Sequence, residues 1–127
     1  MKKIVIVEDN QTFIKFVQRE ITREFPECKT YVYANANEAV ESIGSDNNDF
    51  DILLLDGDLG RGGSGETVLA ALTTQQKNRT IVCSADEEFT AKAKAVGVVV
   101  FLDKGFRGIY VFQIPEYIIT TLKRIQN

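Results

Sequence analysis

The sequence predicts an α/β fold, a doubly wound parallel sheet of five strands with helices on both faces. Three observations predict it. Short apolar or β-branched runs alternate five times with segments whose apolar residues recur at helical spacing. Ile52 to Leu55 are four apolar residues in a row, as in a strand covered on both faces. The connections are short and carry capping residues, which favours parallel strands joined by helical crossovers.

Taken in order, Lys3 to Val7 is a β-branched run and a buried strand. Asn10 can cap the helix that follows, where Phe13, Val17, Ile21 and Phe25 form one stripe before Pro26 ends the element. Lys29 to Tyr33 is the second strand. Asn35 with Glu38 resembles a capping box, opening a helix that stops near Gly44. Ser45 to Asp49 is a polar loop, and Ile52 begins the third strand. Gly60 to Gly65 lacks the lysine of a phosphate-cradling loop and reads as a flexible connection. A third helix is predicted from Glu66 to about Gln76, with Val68, Leu69, Ala71 and Leu72 inward. Thr80 to Cys83 is the fourth strand; Ser84 or Asp86 then caps an alanine-rich helix running to Gly97. Val98 to Leu102 is the fifth strand. Pro115 suits a first helical turn, and Ile114, Ile118, Leu122 and Ile125 line the last helix.

A chain of 127 residues is one domain, here residues 1–127, and can bury a substantial core. A net charge of −3 argues against direct binding to nucleic acid. No apolar run reaches membrane-spanning length, and the start is too short in its apolar part for a signal peptide, so the chain reads as cytoplasmic. Cys28 and Cys83 lack paired spacing and are expected buried and reduced. Histidine is absent, which excludes a His-based triad, a histidine metal site and a phosphohistidine carrier.

The residues that follow the strands carry the chemistry. Glu8 and Asp9 follow the first, Asp56 the third, Ser84 the fourth and Lys104 the fifth. Parallel strands place all of these on one edge, beside the crevice where ligands bind in open α/β sheets. Three carboxylates crowded there repel. A hard divalent cation offsets that repulsion, and oxygen ligands without His or Cys favour magnesium. One carboxylate is then free to act as a nucleophile, with lysine and a hydroxyl for the oxygens of a phosphoryl group. On this reading Asp9→Asn or Asp56→Asn should stabilise the metal-free protein.

The IVIVEDN start, the LLLD strand end, the CSA step and the FLDK segment, in this order and spacing, resemble the receiver domain of two-component response regulators of the chemotaxis-regulator type. The resemblance covers essentially the whole chain. It implies a flavodoxin-like (βα)5 three-layer sandwich with strand order 2-1-3-4-5. It implies Asp56 as phosphoacceptor, and Glu8, Asp9, Asp56 and the backbone carbonyl of Asp58 as magnesium ligands, Glu8 through water. Ser84 and Lys104 would contact the phosphoryl group, and Ser84 with Phe101 would form the switch. The implied donor is a sensor histidine kinase or a histidine phosphotransfer protein. The implied output is a downstream protein bound at the face of the fourth helix, fifth strand and fifth helix; a homodimer is compatible with this. Four departures stand out. Gly105 replaces the usual proline after the lysine, so a cis peptide there does not carry over. Gly60 replaces another proline in a loop one residue longer than usual. Ser84 stands where threonine is commoner. Asp58 and Asp86 add charge at positions that tune phosphoryl lifetime in the family.

Two other functions compete with a self-modifying switch. LLLDGDLG also resembles the strand and DxD of haloacid-dehalogenase-type phosphatases, where the first aspartate is nucleophile and the second acid/base. That motif normally follows the first strand, however, which Glu8-Asp9 occupies here. A pseudo-receiver would keep the fold as a binding module without phosphorylation; the intact acidic set and Lys104 oppose it.

Overall fold

A computed structural model of the chain describes residues 1–44, 49–104 and 112–126. The strands are β1 (Lys3–Val7), β2 (Lys29–Tyr33), β3 (Ile52–Leu55), β4 (Thr80–Ser84) and β5 (Val100–Asp103). They form one sheet in the order β2-β1-β3-β4-β5, parallel throughout. The helices are α1 (Gln11–Glu24), α2 (Ala36–Ile43), α3 (Gly65–Ala71), α4 (Thr74–Asn78), α5 (Glu87–Ala95) and α6 (Ile114–Gln126). The architecture is the flavodoxin-like α/β sandwich.

Successive side chains of a strand face opposite ways, and this divides the core in two. Ile4 and Ile6 of β1, with Ile52 and Leu54 of β3, meet Phe13, Val17 and Ile21 of α1 and Ile114 and Ile118 of α6. Val5, Val7, Leu53 and Leu55 point the other way, onto α2, α3 and α5. Burying one such aliphatic side chain contributes about 1.5–3 kcal/mol. A register slip of one residue would exchange the two faces of a central strand, so these alternating sets also fix the pairing.

The caps are local and match the sequence. Asn10 Oδ1 accepts from the Phe13 N–H at 3.0 Å, and Asn35 Oδ1 from Asn37 and Glu38 at 2.9 and 3.2 Å. Of the two candidates before α5, Asp86 is the cap.

Two elements differ from the sequence prediction. The third helix is broken: Leu72 is extended, and Thr73 forms a reciprocal capping box with Gln76 that starts α4. The buried stripe there is Gly65, Val68, Leu69 and Leu72, so Ala71 lies off it and is exposed, not inward. The fifth strand begins two residues late, because the Val98 N–H is bonded to the Ala93 carbonyl at 3.1 Å, closing α5. Ser45 to Asn48 of the polar loop and Gly105, with the question of its peptide geometry, lie outside the described residues.

The glycine-rich connection is also more ordered than predicted. Gly60–Gly62 forms a 3-10 turn, and Asp58 pairs with Ser64 across the loop. A β-carbon on Gly62 would stand 2.0 Å from the Ala34 carbonyl oxygen, so this loop lies directly on the β2–α2 connection. Gly62→Ala is therefore expected to destabilise the fold by about 1–3 kcal/mol through backbone displacement. A urea melt checks this; an unchanged midpoint would show that the loop shifts freely.

Candidate functional site

The sheet ladder delivers the acidic residues to one edge. The Glu8 N–H donates to the Tyr33 carbonyl at 3.1 Å, and the Asp56 N–H to the Val7 carbonyl at 3.0 Å. Each of these residues thus stands one step beyond its strand, with its main chain still held by the neighbouring strand. Carboxylate oxygens of Glu8, Asp9 and Asp56 all lie within 4.8 Å of one another. Glu8 is 1% exposed and Asp56 8%, whereas Asp9 is open to solvent.

Lys104 enters from the end of β5, its N–H donating to the Ser84 carbonyl at 3.4 Å. Its ammonium pairs closely with Glu8 Oε1 and stands 3.3 Å from Asp56 Oδ2. It also lies 4.5 Å from the centre of the Phe13 ring, whose electron-rich face attracts a cation. Sequence reasoning placed Phe13 only in the helix stripe; its role under Lys104 depends on how α1 crosses the sheet.

Burial pushes the Glu8 carboxyl up, and the neighbouring Asp56 carboxylate adds to the effect. Lys104 opposes both, yet Glu8 rises from 4.5 to about 8. Burial alone would lower the Lys104 ammonium, but hydrogen bonds and charge from Glu8 and Asp56 outweigh it and hold it above its ordinary value. Cys83, fully enclosed, is pushed up to about 12 by burial and stays a thiol. Both cysteines are free.

Glu8 Oε2 is buried without a hydrogen-bond partner. An orphaned carboxylate oxygen normally costs about 1–3 kcal/mol or more, and the Glu8 carboxylate stands beside two others. That oxygen set fits a hard divalent cation.

The remaining predicted residues surround this pocket. The Asp58 carboxylate accepts from the Gly60 N–H at 2.8 Å and so closes a turn. The bonds that close the Asp58–Ser64 bridge, Leu59 N–H to the Gly63 carbonyl and Gly65 N–H to the Gly57 carbonyl, leave the Asp58 main chain out. Ser84 is buried, and its Oγ accepts from the Asp86 N–H at 3.0 Å. Phe101 is half-buried with the Lys94 ammonium 5.2 Å from its ring centre. A cavity of about 280 Å³ lies between Ser84, Ala91, Lys94 and Phe101.

The response regulator receiver domain profile matches residues 4–112. The chain belongs to that family. No curated protein matches it. Among solved structures, the phosphorylated cyanobacterial phytochrome response regulator RcpA superposes with a TM-score of 0.79 at 22% identity, over 94% of this chain and 95% of that one. A CheY-like receiver domain protein from Methanospirillum hungatei JF-1 gives 0.78 at 21%, over 99% and 97%. The Mn2+-bound form of response regulator Rcp1 gives 0.71 at 18%, over 97% and 91%. At these identities the likeness is one of fold. As a receiver domain, the chain belongs to two-component signalling, and its acidic triad is of the kind receivers carry. Among the described residues, no helix is long and apolar enough to cross a membrane.

Proposed function

We propose that this receiver domain is a phosphorylation switch of the cytoplasm, in which Asp56 accepts one phosphoryl group from a phosphohistidine on a sensor kinase or phosphotransfer protein. The observation that carries it is the Asp56 carboxylate at the end of β3, 3.3 Å from Lys104 and inside the triad with Glu8 and Asp9. In the transfer, a carboxylate oxygen of Asp56 forms a bond to phosphorus as the bond from phosphorus to the imidazole nitrogen breaks. Lys104 is placed to pair with a phosphoryl oxygen once it moves away from Glu8. Ser84, at the end of the adjacent strand, offers a hydroxyl to another oxygen. Glu8, Asp9 and Asp56, with the Asp58 carbonyl, would hold magnesium. The ion, when bound, supplies positive charge that offsets the carboxylates and the phosphoryl oxygens.

The phosphatase alternative needs Asp58 as an acid/base. Its carboxylate is instead held by the Gly60 N–H, which favours the switch. Intact mass after incubation with acetyl phosphate tests the proposal. One phosphoryl group should appear with magnesium and none in a chelator; steady release of phosphate from ordinary esters would support the phosphatase, and no uptake the pseudo-receiver.

We place the output on the face of α5, β5 and α6, the face predicted from the sequence. The cavity beside Phe101 supports this, since it offers room for the ring to turn inward. Amide shifts on adding a beryllofluoride mimic should concentrate in residues 84–122. Shifts confined to α1 and α2 would sink the assignment.

A further inference from the structure

Phe89, in the first turn of α5, belongs to the core cluster on this face of the sheet and has a further set of contacts. Its ring lies against main chain, and that main chain belongs to the residues around the phosphoacceptor. A β-carbon on Gly57 would stand 2.4 Å from both Cδ2 and Cγ of Phe89. One on Gly65 would stand 2.3 Å from the Asp56 carbonyl oxygen and 2.9 Å from Phe89 Cζ. Both positions therefore require glycine: the volume a side chain would fill at Gly57 is taken by Phe89, and at Gly65 by the Asp56 carbonyl first and the Phe89 ring second. Phe89 itself is 3% exposed.

We propose that Phe89 is a positioning residue for the Asp56 carboxylate, and that through it α5 becomes a structural part of the phosphoacceptor site. The ring presses on Gly57 and Gly65, which are bonded to each other, Gly65 N–H to Gly57 carbonyl, at 2.9 Å. The Gly57 N–H in turn donates to Asp56 Oδ1 at 2.8 Å. That bond sets the rotation of the carboxylate and leaves Oδ2 toward Lys104. At the other end, the Phe89 N–H donates to Asp86 Oδ1 at 3.2 Å, and the Asp86 N–H to Ser84 Oγ at 3.0 Å. One contiguous set of contacts thus joins Ser84, the cap of α5, the Phe89 ring and the acceptor.

Two consequences follow. Motion of α5 alters how the Asp56 carboxylate is held, and a change at Asp56 is passed to α5 without Phe101. Because linkage is reciprocal, a partner seated on α5 changes the phosphorylated fraction of Asp56 as much as phosphorylation changes its binding. The proposal rests on Asp56 as the acceptor, and the experiment separates the two.

The test compares wild type, Phe89→Leu, Phe89→Ala, Gly57→Ala and the double variant Gly57→Ala/Phe89→Ala. Uptake from acetyl phosphate with magnesium is followed by mass at several donor concentrations. Amide spectra are recorded with and without beryllofluoride, and the Asp56 carboxyl carbon is followed by NMR. Phe89→Leu, which keeps a large apolar side chain, should fold. Its maximal rate should fall on the order of tenfold from a misplaced nucleophile, with the half-saturating donor concentration unchanged. In both Phe89 variants the beryllofluoride shifts in residues 87–95 should shrink. Gly57→Ala alone should be impaired by the clash; truncating Phe89 beside it removes the ring contacts at 2.4 Å and leaves only its β-carbon at 2.9 Å, so the double variant should recover part of the fold but not the α5 response. Wild-type rates with full α5 shifts in both Phe89 variants would overturn the proposal and leave Phe89 as packing. If the wild type takes up no phosphoryl group, the assignment of Asp56 as acceptor fails. Positioning is then decided by the Asp56 carboxyl carbon: a displaced resonance in Phe89→Leu supports it, and an unmoved one overturns it.

Discussion

Asp56→Asn should give a folded protein that takes up no phosphoryl group from any donor. The substitution is nearly isosteric. An asparagine carbonyl can still accept from the Gly57 N–H, so the turn after β3 keeps its bond. Lys104 keeps Glu8 as a partner. What disappears is the anionic oxygen that would attack phosphorus, and a neutral amide is no substitute nucleophile. Intact mass with acetyl phosphate and magnesium reads the effect directly, and the expected change is from one phosphoryl group to none. Uptake by Asp56→Asn equal to wild type would move the acceptor elsewhere. The exposed Asp9, within the same triad, would then be the first place to look.

Without a divalent ion, the protein should lose stability as pH rises from the unfolded pKa of Glu8 toward the folded one. The folded carboxyl is raised from 4.5 to about 8, so between those values the native state binds a proton that the unfolded chain has released. Stability falls with pH wherever the native state binds more protons. The contribution is therefore fully present below 4.5 and is lost by about pH 8. Each pKa unit corresponds to about 1.4 kcal/mol, so the loss amounts to a few kcal/mol, a large share of a small domain's margin. Lys104 adds no slope in this window: with its pKa raised, it is protonated in both states until higher pH. Glu8→Gln should flatten the curve, because the amide resembles the protonated acid. Magnesium should restore stability above the transition, by about 1.4 kcal/mol at ten times its dissociation constant. Urea melts below, within and above the window, with and without magnesium, test all three. A flat wild-type curve, or a midpoint that ignores magnesium, would show that Glu8 is not held as described. The expectation for Asp56→Asn stays as the sequence set it. That for Asp9→Asn weakens, because Asp9 is solvated while Glu8 is enclosed.

Much of this was legible in the sequence because it is local. A cap such as Asn10 on Phe13 or Asp86 on Phe89 is decided by residues three positions apart. The apolar runs of β1 and β3 and the stripes of α1 and α6 declare which faces must be covered. Strands that all run one way then bring Glu8, Asp56, Ser84 and Lys104 to one edge, whatever packs around them. Even the break between α3 and α4 has a local cause, the box of Thr73 and Gln76, though the helical periodicity ran through it. Tertiary structure decided the rest. Glu8 and Asp9 are chain neighbours of the same chemistry, yet one is buried under Lys104 and the other faces solvent. Phe13 reads as a core stripe residue and nothing in the sequence singles out Phe89; only the crossing of α1 and the docking of α5 put one ring under an ammonium and the other on Gly57. Local hydrogen bonding and periodicity act within a few residues, whereas the field around a buried carboxylate and the space beside a glycine are set by segments far away in the chain.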